Sequence, residues 1–113
     1  MRIITDTLTL EELRQMAAGL FGDFVKAVVD VDRGLLAVDA ELHADLEALL
    51  LEDGAEQRSL WGINLYPEAT VDQFVEFDSL INVRPSQANR SRDVEDVATR
   101  SRILAIVQQR IQR

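Results

Sequence analysis

The chain has 113 residues, 47 % of them apolar and 28 % charged, with a net charge of −8 and no cysteine. That length and composition suit one folded domain over residues 1–113 and exclude a chain disordered by composition. The missing cysteine excludes disulfides, a thiol nucleophile and thiolate metal ligands, which fits a reducing cytoplasm.

The segment MRIITDTLTLEEL has no long apolar run before its acidic pair, so no signal peptide is expected. No apolar stretch approaches the roughly 18 residues of a membrane span. The expectation is a cytoplasmic protein with no membrane association. The negative charge argues against a nucleic acid partner, whose phosphates must be neutralised. The charge is uneven, however. Residues 1–83 carry 5 Lys and Arg against 17 Asp and Glu, a balance of −12. Residues 84–113 carry 7 against 3, a balance of +4. A basic tail of this kind either packs on the acidic body or meets an anionic partner.

Residues 2–5 (RIIT) read as a short strand. Thr9 with Glu12 three positions on makes a capping box, and Leu8 and Leu13 fit a hydrophobic staple. Leu10, Leu13, Ala17, Leu20 and Phe21 form one stripe, and Gly22 is a stop, so a helix is expected over 9–21. Val25, Val29 and Val31 alternate with Lys26 and Asp30 in a strand. Asp32-Arg33-Gly34 turns the chain into a return strand from Leu35.

Residues 36–50 carry two conflicting signals. Ala, Glu and Leu favour a helix with Leu42, Leu46, Leu49 and Leu50 on its stripe. The even positions from Leu36 to Leu50 are all apolar, and Asp39, Glu41, His43, Asp45 and Glu47 are all polar. This period of two favours an extended, bent strand pair. Strands are also expected at LWGINLYP, ended by Pro67, and over 74–84. A last helix follows, with Asp93, Glu95 and Asp96 in its first turn and Arg110 and Arg113 in its last. Its stripe is Val97, Leu104, Val107 and Ile111. The fold class is therefore α+β: an antiparallel meander sheet of about five strands with an N-terminal and a C-terminal helix packed on one face.

The strings ELHAD (41–45), LWGINLYP (60–67), FDSLINVRPSQ (77–87) and NRSRDVED (89–96) resemble a small family of uncharacterised bacterial proteins, of cyanobacterial type, that carry RPSQ-x-NRSR. The resemblance spans nearly the whole chain. It implies no reaction, cofactor or substrate. Ala88 stands where the resemblance leads one to expect Gly, and Ala55 where it leads one to expect Ser. Alanine at 88 argues against a positive φ there.

Two constellations could carry chemistry. The loop RPSQANRSR holds Arg84, Ser86, Gln87, Asn89, Arg90 and Arg92 and runs into a helix start. Guanidinium forks match carboxylate or phosphate, and free N–H groups at a helix N-terminus favour an anion. The competing structural reading pairs these arginines with Asp93, Glu95, Asp96, Glu76 or Asp78. The second constellation is the polar face around His43, with Glu41 and Asp45 beside it and Asp30, Asn64, Glu76 and Asp78 on neighbouring strands. A histidine flanked by carboxylates can serve as a general base. There is no second histidine and no metal-ligand spacing, so no metal or cofactor is expected. No G-x-S-x-G elbow, P-loop or dinucleotide fingerprint occurs.

The function is unknown from the residues alone. The leading expectation is a small binding module with an oxyanion or acidic-partner site at 84–92. The alternative is a small metal-assisted hydrolase using His43, and whether the chain is an enzyme stays open. Pairing of two copies through a strand edge is a further alternative.

Overall fold

The computed structural model describes residues 1–113. Strands β1 (Arg2–Ile4), β3 (Val25–Asp30), β4 (Leu35–Val38), β5 (Leu60–Leu65) and β6 (Val75–Glu76) form one antiparallel sheet. Its order is β1-β4-β3-β5-β6, so only the β3–β4 hairpin and the β5–β6 pair are sequential neighbours. Two short strands, β2 (Leu8–Thr9) and β7 (Ile111–Gln112), pair in parallel and tie the two ends of the chain together.

The helices are α1 (Leu10–Gly19), α2 (His43–Glu52) and α3 (Val97–Arg110). Helices α1 and α3 cover one sheet face, burying Leu13, Ala17, Ile103, Ile106 and Val107 against Val25, Ala27, Val29, Trp61, Ile63 and Leu65. Helix α2 covers the other face, where Leu46 and Leu50 meet Val28, Ala37 and Leu60. The two clusters use alternate residues of β3, β4 and β5, as the pleat requires. The α+β class and the helices at both ends are as the residues implied, and α2 adds a third layer.

Helix α1 forms as its local chemistry dictates. The Glu12 N–H donates to Thr9 Oγ1 at 3.1 Å and the Thr9 N–H to Glu12 Oε1 at 3.2 Å. Leu8 and Leu13 are both fully buried. Phe21 falls outside the helix and is exposed. The β3–β4 turn is nucleated by Asp30, a buried carboxylate. Its Oδ1 accepts from the Asp32 and Arg33 N–H groups, and its Oδ2 pairs with Arg33 Nε at 2.7 Å.

Three expectations are corrected. Residues 43–52 are helical, not extended. Strand β4 stops at Val38, Asp39 takes φ 74°, and His43, Leu46 and Leu50 share the buried face. Spacings of three and four therefore prevail, Leu42 and Ala44 are exposed, and the strong helix formers set the backbone. The strand over 74–84 shrinks to Val75–Glu76, and single turns of 3-10 helix follow at Leu80–Asn82 and Pro85–Gln87. Finally, α3 starts at Val97 with Asp96 as its N-cap, so Asp93 and Glu95 precede the helix. Val97 and Leu104 lie on the outer side, 75 % and 45 % exposed, while Ile103, Ile106 and Val107 are buried.

Candidate functional site

The polar loop that runs from the sheet into α3 is held by its own side chains. The Asn82 carboxamide docks on the edge of β5. It accepts from the Gly62 N–H at 2.8 Å, and donates to the carbonyls of Gly62 and Arg92, each at 2.9 Å. It does for Gly62 what a neighbouring strand would do. Asn89, also buried, donates to the carbonyls of Asn82, Ser91 and Asp93 and accepts from the Glu95 N–H. Between them, Arg84 and Asn89 form an isolated antiparallel bridge that pinches the turn closed. Closing it puts Ala88 at φ 60°, against the sequence expectation. A left-handed alanine costs about 1 kcal/mol, which the bridge and the Asn89 bonds offset.

The six loop residues do not converge on one point. Arg84 folds inward: its two Nη atoms donate to the carbonyls of Gln57 and Leu60, and its guanidinium lies 4.2 Å over the Trp61 ring. Burial lowers its affinity for a proton, and the nearby Glu47 carboxylate offsets this in part. Gln87 donates to the Arg58 carbonyl at 3.0 Å. Arg92 Nε donates to Asp78 Oδ1 at 2.5 Å. Ser86 is exposed, and the exposed Arg90 guanidinium has no partner in the chain.

The basic tail as a whole packs on the acidic body, but mostly through backbone carbonyls. Arg102 donates to Val31 O, and Arg110 to the carbonyls of Gly34, Thr5 and Asp6. Carboxylate pairs within reach of the tail are limited to Arg92–Asp78 and Arg100–Asp93. A guanidinium is a rigid fork of donors, so it can tie several exposed strand-end carbonyls at once.

Beside this loop lies an open cleft of about 630 Å³. Its walls are the turn at Gln57–Ser59, the turn at 87–89 and the first residues of α3, and Trp61 lies against it. Two guanidinium groups line it with donors to spare. Arg58 spends only Nε on Glu56, at 2.7 Å, and Arg102 spends one Nη on Val31 O, at 2.8 Å. Gln87 and Asn89 also line it, with Asp32, Glu95 and Asp96 as the acidic members. Nothing local in the sequence marks Arg58 and Arg102 as partners. They line one cleft only because α3 packs on the sheet and Arg102 reaches the turn that follows β3.

A family model described as a protein of unknown function (DUF5674) matches residues 2–110. The chain belongs to this family. No curated protein and no solved structure matches it. Membership brings no activity with it, so only the geometry bears on function. No helix is long and apolar enough to cross a membrane.

The His43 constellation does not assemble as expected. His43 opens α2 and is buried, and its Nε2 lies 2.8 Å from the Ile63 carbonyl oxygen. A carbonyl only accepts, so Nε2 carries the proton. Glu41 and Asp45 are exposed and neither bonds to the imidazole. No group of three His, Asp or Glu side chains is arranged so that it could hold a metal ion, at His43 or elsewhere. Part of the expected polar face does form elsewhere: Glu76 Oε1 accepts from Asn64 Nδ2 at 2.8 Å and from the Tyr66 hydroxyl at 3.0 Å. Asp30 belongs to its turn instead.

Burial holds the His43 imidazole below its ordinary value of 6.5. The folded chain therefore resists a proton that the unfolded chain accepts. Its contribution to stability is complete above pH 6.5 and is lost as pH falls through 6.5 toward the folded value. Urea midpoints taken from about pH 7.5 down to about pH 5.5 should fall for the native chain and stay flatter for His43→Gln. Equal slopes in both would place the titration elsewhere.

Proposed function

We propose that this chain is a small binding module, and that its cleft takes a small ligand bearing an oxyanion. One observation supports this most: Arg58 and Arg102, both exposed and both with unspent donors, line the same concave surface. Planar forks of this kind suit carboxylate and phosphate. The site lies beside the arginines of 84–92 rather than on them, and it keeps Gln87 and Asn89. Two-dimensional NMR of the full chain, titrated with phosphate, sulfate and acetate, tests it. Shifts should concentrate at Arg58, Ser59, Gln87 and Arg102 and vanish in the R58A/R102A double variant. Shifts spread evenly over the surface, or none, would remove the proposal.

A further inference from the structure

One carboxylate at the edge of this cleft is already held as a ligand would be. Glu95 lines the cleft, is exposed, and stands one residue before the N-cap of α3. Its Oε2 accepts three hydrogen bonds: from the Arg90 N–H at 2.9 Å, the Ser91 N–H at 2.9 Å and the Ser91 hydroxyl at 2.8 Å. Consecutive backbone N–H groups aimed at one oxygen form a concavity for an anion. These donors hold the Glu95 carboxyl below its usual range, so the anionic form is the one they select.

The concavity is built by other residues. Asn89 fixes the carbonyls of Ser91 and Asp93 and accepts the Glu95 N–H, and Asn82 fixes the Arg92 carbonyl. None of these bonds uses the Glu95 side chain, so the donor set does not depend on the carboxylate it now holds. Arg90, which supplies one of the N–H groups, also carries the one guanidinium of 84–92 with no partner in the chain.

We propose that the Arg90–Ser91 concavity, which adjoins the cleft through Glu95, is an oxyanion subsite, that Glu95 is its resident occupant, and that a ligand carboxylate or phosphate takes its place. This rests on the reading of the cleft as the binding surface. A tethered carboxylate competes at a high effective concentration, so a free anion binds the native chain weakly. Removing the tether exposes the subsite.

The test uses the full chain with E95A and E95Q, titrated separately with inorganic phosphate and with acetate, and watches the Arg90 and Ser91 amides. The response of those amides should come at an anion concentration at least about tenfold lower in E95A than in the native chain. E95Q keeps the length but loses the charge, and should fall between the two. It also serves if the alanine variant loosens the loop. A response to acetate alone assigns a carboxylate ligand, and one to phosphate alone assigns a phosphorylated ligand. Shifts confined to Arg58 and Arg102, with all three chains alike, would overturn the subsite and leave the cleft standing. Silence at every residue in every chain would overturn both.

Discussion

Replacing Gly62 by alanine should destabilise the fold by about 3 kcal/mol, among the largest effects of any single methyl in this chain. A Cβ at 62 would stand 2.5 Å from Ser79 Cβ, 2.6 Å from Ser79 Oγ and 3.1 Å from Ile81 Cγ1. Ser79 is itself buried, and its N–H is bonded to the Arg92 carbonyl at 3.0 Å, so the segment cannot swing aside cheaply. The methyl would push 79–82 off β5 and part the Asn82 carboxamide from the strand it clasps. Urea unfolding followed by circular dichroism gives the cost. The double variant G62A/S79G removes the nearest two atoms and should recover a large share of it. A native midpoint for G62A alone would mean that the close approach is not needed.

The second large effect belongs to Asn82. Asn82→Ala leaves the Gly62 N–H and the Gly62 carbonyl without partners at a buried site, and takes from the Arg92 carbonyl one of its two donors, the Ser79 N–H remaining. Two orphaned backbone groups and a weakened third, partly relieved by water entry, should cost roughly 3 kcal/mol. Asn82→Asp is the informative companion. It keeps an acceptor for the Gly62 N–H but sets a buried carboxylate against two carbonyls, so it should be at least as damaging as alanine. Amide exchange at Gly62 should accelerate in both variants. If the aspartate variant were as stable as the native chain, a simple acceptor would suffice at this position and the strand-mimic account would fail.

These two residues bear on the proposed function because they hold the loop that shapes the cleft. Gly62 admits the 79–82 segment, Asn82 fixes it, and Asn89 then sets the positions of Ser91, Asp93 and Glu95. Most of RPSQANRSR is thus scaffolding. Its conspicuous arginines are largely spent inside the chain: Arg84 on two carbonyls and an aromatic face, Arg92 on Asp78. On the proposed reading, the donors offered to a ligand are at its margins, on Arg58 and Arg102, with the Arg90 and Ser91 N–H groups now held by Glu95.

What nearest neighbours decide was legible in the string of residues. The capping box of α1, the Asp32-Arg33-Gly34 turn and the strands β3 and β5 carry signals that are complete within a few residues, although Asp30, read as a strand residue, proves to hold that turn. The α+β class follows from those elements. Over 36–50 two local signals conflicted, and only packing resolved them: Leu46 and Leu50 find Val28 and Leu60, and a polar residue, His43, takes a buried place because the Ile63 carbonyl satisfies it. The loop behaves likewise. Its donors were legible, but the carbonyls that take them lie 24 to 29 residues away in sequence, at Gln57, Arg58 and Leu60. Which guanidinium faces solvent is a question of which acceptors the fold brings near, and composition and spacing do not encode that distance. The cleft, its two exposed arginines with donors to spare and the carboxylate held at its edge exist only once α3 has packed on the sheet.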